Sequence, residues 1–421
     1  MRKKCALSFS WFLIVILTVA ISSSGAFGAE KVTIRWLYPG GDQPVSRQTW
    51  QGHLERFEAK YPNIKVELLD VPWDLVHDRL VNMIMAGDGP DVIQIGARWL
   101  PEFVEMGAFM PLDKLVTQDK RNMYYPGLIK AMTYKGKLYA MPRAYSTQAL
   151  IYRSDLIKTP PKTWDELVKV AKKVQEEHPG IYGFAIAGAN HVSTLSQYFC
   201  YLFQAGGNVF DEKGNLILDS PRAIEALRFY RDLYTVHKVV PNPLEYHREQ
   251  LPELFAAGRI AMFVSGPWGG RSVGRPPQNP KTPYAAALLP AGPEGIATEL
   301  VSDCTGIYSK TKHPKEAWLL LDFITSEQEQ IFRDKIGGLV PQGPKIAGLP
   351  EFQKDPYFST FIKMAQYGVP QPQPLRWEPM QKIIVEMIQK VLLQKATPEQ
   401  AVKEAAREIE EQGLVPASSK K

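Results

Sequence analysis

Two hydrophobic periods alternate between residues 31 and 95, and this alternation restricts the fold more than any other feature of the chain. From Lys31 to Leu37, Val32, Ile34 and Trp36 alternate with Thr33, Arg35 and Leu37, which is the period of a strand. Trp50, Leu54, Phe57 and Tyr61 then recur at helical spacing until Pro62 stops them. Lys65 to Val71 reads as a second strand, Val76, Leu80 and Met83 mark a second helix, and Asp91 to Ile95 reads as a third strand. Strand–helix–strand–helix–strand leaves one economical arrangement, a parallel sheet covered by helices on both faces.

Later helices announce their starts. Thr163 and Glu166 have capping-box spacing ahead of the stripe Trp164, Leu167, Ala171 and Val174. Ser220-Pro221 places an N-cap before a proline at the first helical position, and Thr397-Pro398 with Gln400 opens the last helix after a long one around Ile383, Met387 and Val391. In open parallel sheets ligands bind beyond the carboxyl ends of strands, where loops converge and helix amino-termini present unpaired amides. Four predicted strand ends share one design, glycine followed by a polar or aromatic side chain: Gly40-Gly41-Asp42, Gly96-Ala97-Arg98-Trp99, Gly188-Ala189-Asn190-His191 after Ile181 to Ile186, and Gly266-Pro267-Trp268 after Ile260 to Val264. Such a lining suits carbohydrate, whose C–H faces stack on indole and phenol rings and whose hydroxyl rim takes hydrogen bonds from Asp, Asn and Arg. Asp42, Arg98, Trp99, His191 and Trp268 are therefore candidates. Trp36, Trp50, Trp164 and Trp318 fall on strand or helix stripes and are assigned to the core, while Trp73 fits either role.

The amino-terminus has the form of a secretory signal. Arg2, Lys3 and Lys4 precede an apolar run from Ala6 to Ile21, and small residues lead to Gly28, after which cleavage is expected. Cys5 lies before the apolar run rather than after it, so no lipid anchor is predicted and the expectation is a free periplasmic protein. Cleavage takes Lys and Arg from 50 to 47 against 44 acidic residues, so formal charge drops from +6 to +3. That near-balance argues against nucleic acid as a partner, which requires a concentrated basic face. Cys200 and Cys304 are too few and too far apart for a disulfide framework and read as buried hydrophobes. No cofactor or metal motif is found, and about 390 residues call for two lobes rather than one core.

One compound segment is more specific. GKLYAMPRAYSTQALIYRSDL, Gly136 to Leu156, runs into PPKTWDEL, Pro160 to Leu167, and resembles the hinge region of extracellular solute-binding proteins of family 1, the maltose-binding-protein-like components of ABC sugar importers. Further similar segments are FEAKYPNIKVEL (Phe57 to Leu68), AGDGPDVIQI (Ala86 to Ile95), PAGPEG (Pro290 to Gly295), SKTKHPKEAWLLLDFITSEQEQ (Ser309 to Gln330) and GGLVPQ (Gly337 to Gln342). The resemblance implies an α/β fold of type II, two lobes with mostly parallel sheets flanked by helices and a hinge between them. It places residues 29–145 plus 304–345 in the first lobe, 146–303 plus 346–416 in the second, and 417–421 in a frayed tail. It implies a monomer that captures a carbohydrate, an oligosaccharide being the expected form, and delivers it to the transmembrane subunits of a permease. RIAMFVSGPW, Arg259 to Trp268, is similar to the family segment that puts a tryptophan under the sugar, and Trp377 in PQPQPLRWEPM is placed where the family often has another stacking aromatic. Tyr145 in the hinge segment, Asp303 at the return to the first lobe, and Arg376 beside Trp377 complete the candidate set.

Two other readings are compatible with the same residues. The fold could take an anionic solute, such as a phosphorylated polyol or uronic-acid oligomer, on Arg98, Arg143 and Arg376, and its affinity would then fall steeply with salt. A secreted carbohydrate-active enzyme would need a placed pair of carboxylates, but with 44 acidic residues the presence of a pair decides nothing. H-E-x-x-H, C-x-x-C and phosphate-loop motifs are absent from the sequence, and the letters G-x-S-x-G occur once, at Gly270 to Gly274.

Overall fold

The computed structural model describes residues 31–40, 44–273 and 282–416. The signal segment, Asp42 and the tail 417–421 lie outside the described residues. The predicted opening is present as β1 (Val32–Pro39), α1 (Pro44–Lys60), β2 (Ile64–Val71), α2 (Val76–Met85) and β3 (Val92–Gly96). β1 pairs in parallel with β2 from Val32↔Ile64 to Pro39↔Val71 and with β3 at Trp36↔Val92. Helix-period burial on α2 selects Val76, Leu80 and Ile84, so Ile84 takes the inward position expected of Met83.

Two later strands complete this sheet. β4 (Ala140–Ser146) and β8 (Thr298–Ile307) are antiparallel, and β8 is also antiparallel to β3. The first residues of β8 pair in parallel with β9 (Gly368–Pro370), giving a six-stranded sheet. α6 (Pro314–Ile324) and α7 (Glu327–Gly337) follow β8, with α6 packed on β1 and β8, and α7 on α1. Gly306 in β8 is required by close approach, because a Cβ there would lie 2.6 Å from the Phe109 ring and 2.7 Å from the Tyr139 carbonyl oxygen.

A second sheet consists of β5 (Ala149–Arg153) between β6 (Met262–Ser265) and β7 (Tyr284–Ala287), all antiparallel. The run Ile181 to Ile186, expected as a strand, contributes only a parallel bridge at Tyr182↔Ile260. Parallel pairing thus dominates the β1–β3 end of the first sheet, while the three-stranded sheet is built by antiparallel returns. Around this second sheet lie α3 (Trp164–Glu177), α4 (Val192–Gln204), α5 (Pro221–Thr235), α8 (Pro356–Met364), α9 (Trp377–Leu392) and α10 (Pro398–Glu411). α4 is buried along nearly its whole length and packs on α5, α9 and β8, which makes it the central helix of this half. Cys200 on α4 and Cys304 on β8 are buried free thiols. Among the described residues no helix is long and apolar enough to cross a membrane.

The start signals operate by the expected hydrogen bonds, with one shift. Thr163 Oγ1 accepts from Glu166 N at 3.2 Å, but the Glu166 carboxylate reaches past the cap to Lys162 N at 2.7 Å. Ser220 Oγ accepts from Ala223 N, and Thr397 with Gln400 forms the full reciprocal box.

A buried ionic cluster joins α1 to α7. His53 Nδ1 lies 2.6 Å from Glu329 Oε2, and Arg56 donates to both oxygens of the same carboxylate at 2.8 and 2.6 Å. Burial lowers the His53 pKa to about 4, against the pull of Glu329. Burial works to raise Glu329, but hydrogen bonds from Arg56 and His53 outweigh it and leave the group at about 2. Both folded values lie below their ordinary values of 6.5 and 4.5. The unfolded chain therefore takes up protons first on acidification, and stability present above pH about 6.5 is lost through His53 down to about 4 and through Glu329 below about 4.5. Urea midpoints measured from pH 7 to pH 4 are expected to fall, and His53→Leu to flatten the upper part of that slope. An identical slope in the variant would show that other groups control it.

Candidate functional site

The first sheet delivers side chains near the ends of β1 and β3 and from within β4 and β8. Tyr38, near the end of β1, is buried, stands edge-on to Trp36 at 5.1 Å, and its hydroxyl accepts from Arg143 Nη2 on β4. Gly40, at φ +76°, turns the chain next and lies against Trp73, where a Cβ would come within 2.8 Å of the indole. At the end of β3 a Cβ on Gly96 would be 2.5 Å from Arg98 Nη1, so glycine lets the guanidinium fold back over the strand end. The Arg98 guanidinium lies 4.1 Å from the Trp99 ring centroid, within cation–π range, and Arg98 Nε has no hydrogen-bond partner among the described residues. Asp303 on β8 sits opposite Gly96 and Ala144, where the ladder with β4 shifts register. Burial raises the Asp303 carboxyl to about 6, although Arg143, Arg98 and Arg333 pull it down. Burial likewise lowers Arg98, opposed by Asp303, Glu378 and Glu299. Tyr145 is 3 % exposed, pairs with Ser302 and has Tyr125 6.3 Å away.

The second half supplies a different wall. Trp268 follows β6 through Gly266-Pro267 and folds back so that a Cβ on Gly266 would lie 2.2 Å from its ring. This indole is half-buried, donates to Glu249 Oε2 at 2.8 Å and has the Arg248 guanidinium 5.3 Å from its centroid. Burial works to raise Glu249, but the charge and hydrogen bond of Arg248 and the donation from Trp268 leave it below its ordinary value. His191 caps α4 by accepting from Ser193 N, and its ring stacks on His247 at 4.4 Å. Burial and the neighbouring His247 lower the His191 pKa.

Direct contacts cross between the halves along one edge. Trp99 Nε1 donates to Glu378 Oε1 on α9 at 2.8 Å, Arg98 lies 5.8 Å from the Trp377 centroid, and Gln373 Nε2 donates to Ala131 O at 3.0 Å. On another edge His191 Nε2 is 4.0 Å from Asp74 Oδ1, in the turn that follows β2. The structure thus brings Arg98, Trp99 and Trp377 into one cluster, sets Asp303 within electrostatic reach of Arg98, and places Trp268 and His191 on the facing half. Trp377, at the first helical position of α9, is only 1 % exposed, and its Nε1 donates to Gln381. Arg376 is exposed and donates to the carbonyl of Gln412, the residue that caps the C-terminal helix, instead of joining Arg98. Glu249, Glu378, His247, Arg248 and Arg333 are site neighbours that the candidate set lacks. Glu378 had a usable signal, an acidic residue in the first turn of a helix directly after a candidate tryptophan. Glu249 had none, since its loop carries no periodicity.

Residues 41–331 match the family described as bacterial extracellular solute-binding protein. Among curated relatives, the maltotriose-binding protein of Pyrococcus abyssi is 29% identical over 336 residues, 77% of this chain and 70% of that protein. The arabinooligosaccharide-binding protein of Bacillus subtilis is 25% identical over 338 residues, 75% of each chain. Among solved structures, maltose-bound T. maritima MalE3 superposes with a TM-score of 0.80 at 28% identity, covering 90% of this chain and 100% of that one. The matched span takes in strand ends of both halves, and the chain belongs to the bacterial extracellular solute-binding protein family, with the two-lobed α/β fold of the MalE type.

Proposed function

We propose that this protein is the solute-capturing component of an ABC importer and that it holds an oligosaccharide, unaltered, between its two lobes. The observation that carries this reading is the pairing of unlike walls across the cleft. One has a half-buried indole whose Nε1 is fixed by Glu249, and the other has Arg98 after β3, Arg143 on β4 and the Asp303 carboxylate on β8. Stacking needs the first and hydroxyl recognition the second. Relatives named for maltotriose, arabinooligosaccharide and maltose support the substrate class. The lobes correspond to the two sheets: the chain crosses between them at residues 147–148, again ahead of β8 and again between α7 and α8, and it touches the edge of the first sheet once more at β9. Closure follows if the sugar contacts both walls. A shift from 1:99 to 99:1 needs about 5.5 kcal/mol of differential binding, and micromolar affinity corresponds to about 8 kcal/mol. The closed monomer then docks on the transmembrane subunits of a permease. Export to the periplasm with cleavage after Gly28 completes the reading.

A thermal-shift screen over mono- and oligosaccharides, followed by fluorescence titration and product analysis, tests it. Saturable change with intact sugar supports a carrier, and released product contradicts it. Asp303 adds a pH signature. With its pKa near 6, the acceptor carboxylate is present above that pH and protonated below it. Affinity is therefore expected to decline as pH falls through about 6, and Asp303→Asn to bind weakly at every pH without that step. A step that persists in Asp303→Asn would assign it to another group.

A further inference from the structure

Glu299, the second residue of β8, is fully buried. A carboxylate so placed is costly unless its oxygens are hydrogen-bonded. Its Oε1 accepts from Gln371 Nε2 at 2.7 Å, and its Oε2 accepts from Gln148 Nε2 at 3.2 Å and from Ser196 Oγ. The carboxylate and its two glutamine donors lie on different passes of the chain through the junction of the halves, while Ser196 is on α4. Gln148 sits between β4 and β5, Glu299 is on the returning β8, and Gln371 follows β9 on the way to α9. The first two passes are also joined directly, since Gln148 N donates to Thr298 Oγ1 at 2.8 Å. One carboxylate therefore joins the β4–β5 crossing, the β8 return and the segment that follows β9.

The network does not stop at the hinge. Arg248 Nη1 donates to Ser196 Oγ at 2.9 Å, and Arg248 Nη2 donates to Glu249 Oε1 at 2.8 Å. Glu249 Oε2 in turn holds Trp268 Nε1 at 2.8 Å. Every link from Glu299 to the indole is a polar contact, and the Glu299 and Arg248 side chains that begin it are buried. A hinge that only needed filling would be served by an apolar side chain. What the carboxyl group adds is an acceptor that takes the Ser196 Oγ–H and so turns that oxygen's lone pairs toward Arg248 Nη1 and, at 3.3 Å, Gln148 Nε2.

We propose that Glu299 is a positioning residue that ties the angle between the lobes to the orientation of Trp268. The proposal rests on the reading of Trp268 as a ligand platform in a closing cleft, but its test uses no ligand. In full-length mature protein with 15N-labelled indoles, Glu299→Gln is expected to displace the Trp268 Nε1–H resonance, assigned through Trp268→Phe, while the Trp36 resonance in the first sheet stays in place. Spin labels at Glu55→Cys on α1 and Lys169→Cys on α3, both exposed positions, are expected to report a broader interlobe distance distribution in the same variant. An unmoved Trp268 resonance in folded Glu299→Gln overturns the proposal, whatever the distances do. Should Glu299→Gln fail to fold, Ser196→Ala decides. It cuts the link to Arg248 while leaving Glu299 its glutamine donors, so a displaced Trp268 resonance supports the proposal and an unmoved one overturns it. Failure to bind any saccharide would remove the functional reading and leave this outcome unaffected.

Discussion

Trp268→Ala is expected to weaken oligosaccharide binding by about 1–3 kcal/mol while leaving the unfolding transition unchanged. The indole is half-buried and held at one edge by Glu249, so truncation removes a stacking surface without opening the core. Trp268→Phe should recover part of the loss, because it keeps an aromatic face but not the hydrogen bond to Glu249. Calorimetric titration of the three proteins checks this, and unchanged affinity in Trp268→Ala would take the residue out of the site. Glu249→Gln is informative beside them. It retains an acceptor for the indole but gives up the charge facing Arg248, so its affinity is expected between wild type and Trp268→Ala.

Trp164→Ala is expected to do the reverse, lowering stability by about 3–5 kcal/mol with sugar affinity per folded molecule retained. Trp164 is 7 % exposed, stacks on Phe229 at 4.1 Å with planes 6° apart, and donates to Gln204 Oε1 at 2.8 Å. Truncation leaves a cavity on the inner face of α3 and strips Gln204 of a donor. Thermal melts and titrations of this variant separate the two roles. If binding collapsed with stability intact, the division of tryptophans between core and cleft would be wrong.

That division shows what the sequence carries and what it does not. Trp36 and Trp164 were legible because strand and helix periods put them on faces that must be covered, and both are buried. The βαβαβ opening and the caps at Thr163, Ser220 and Thr397 were legible for the same local reason. Strand ends marked by glycine led to Arg98, Asp303's neighbour, because glycine there permits a side chain to fold over the backbone. Long-range partners left no such trace. Glu249 reaches Trp268 across 19 residues, and Glu378 reaches Trp99 across 279, and nothing in either local pattern encodes that meeting. The antiparallel pairing of β5 with β6 and β7 was similarly hidden, since a short apolar run reads alike in either direction. Trp377 was placed from resemblance alone. Its burial against Arg98 and Phe199 puts it at the junction of the halves.

Small-angle scattering of the mature protein, titrated with the oligosaccharide that gives the largest thermal shift and followed by chromatography of the same sample, bears most directly on the capture of a sugar by closing lobes. The expected result is a saturable decrease in radius of gyration with the sugar recovered intact. No compaction with any saccharide, together with conversion of one of them to product, would contradict it.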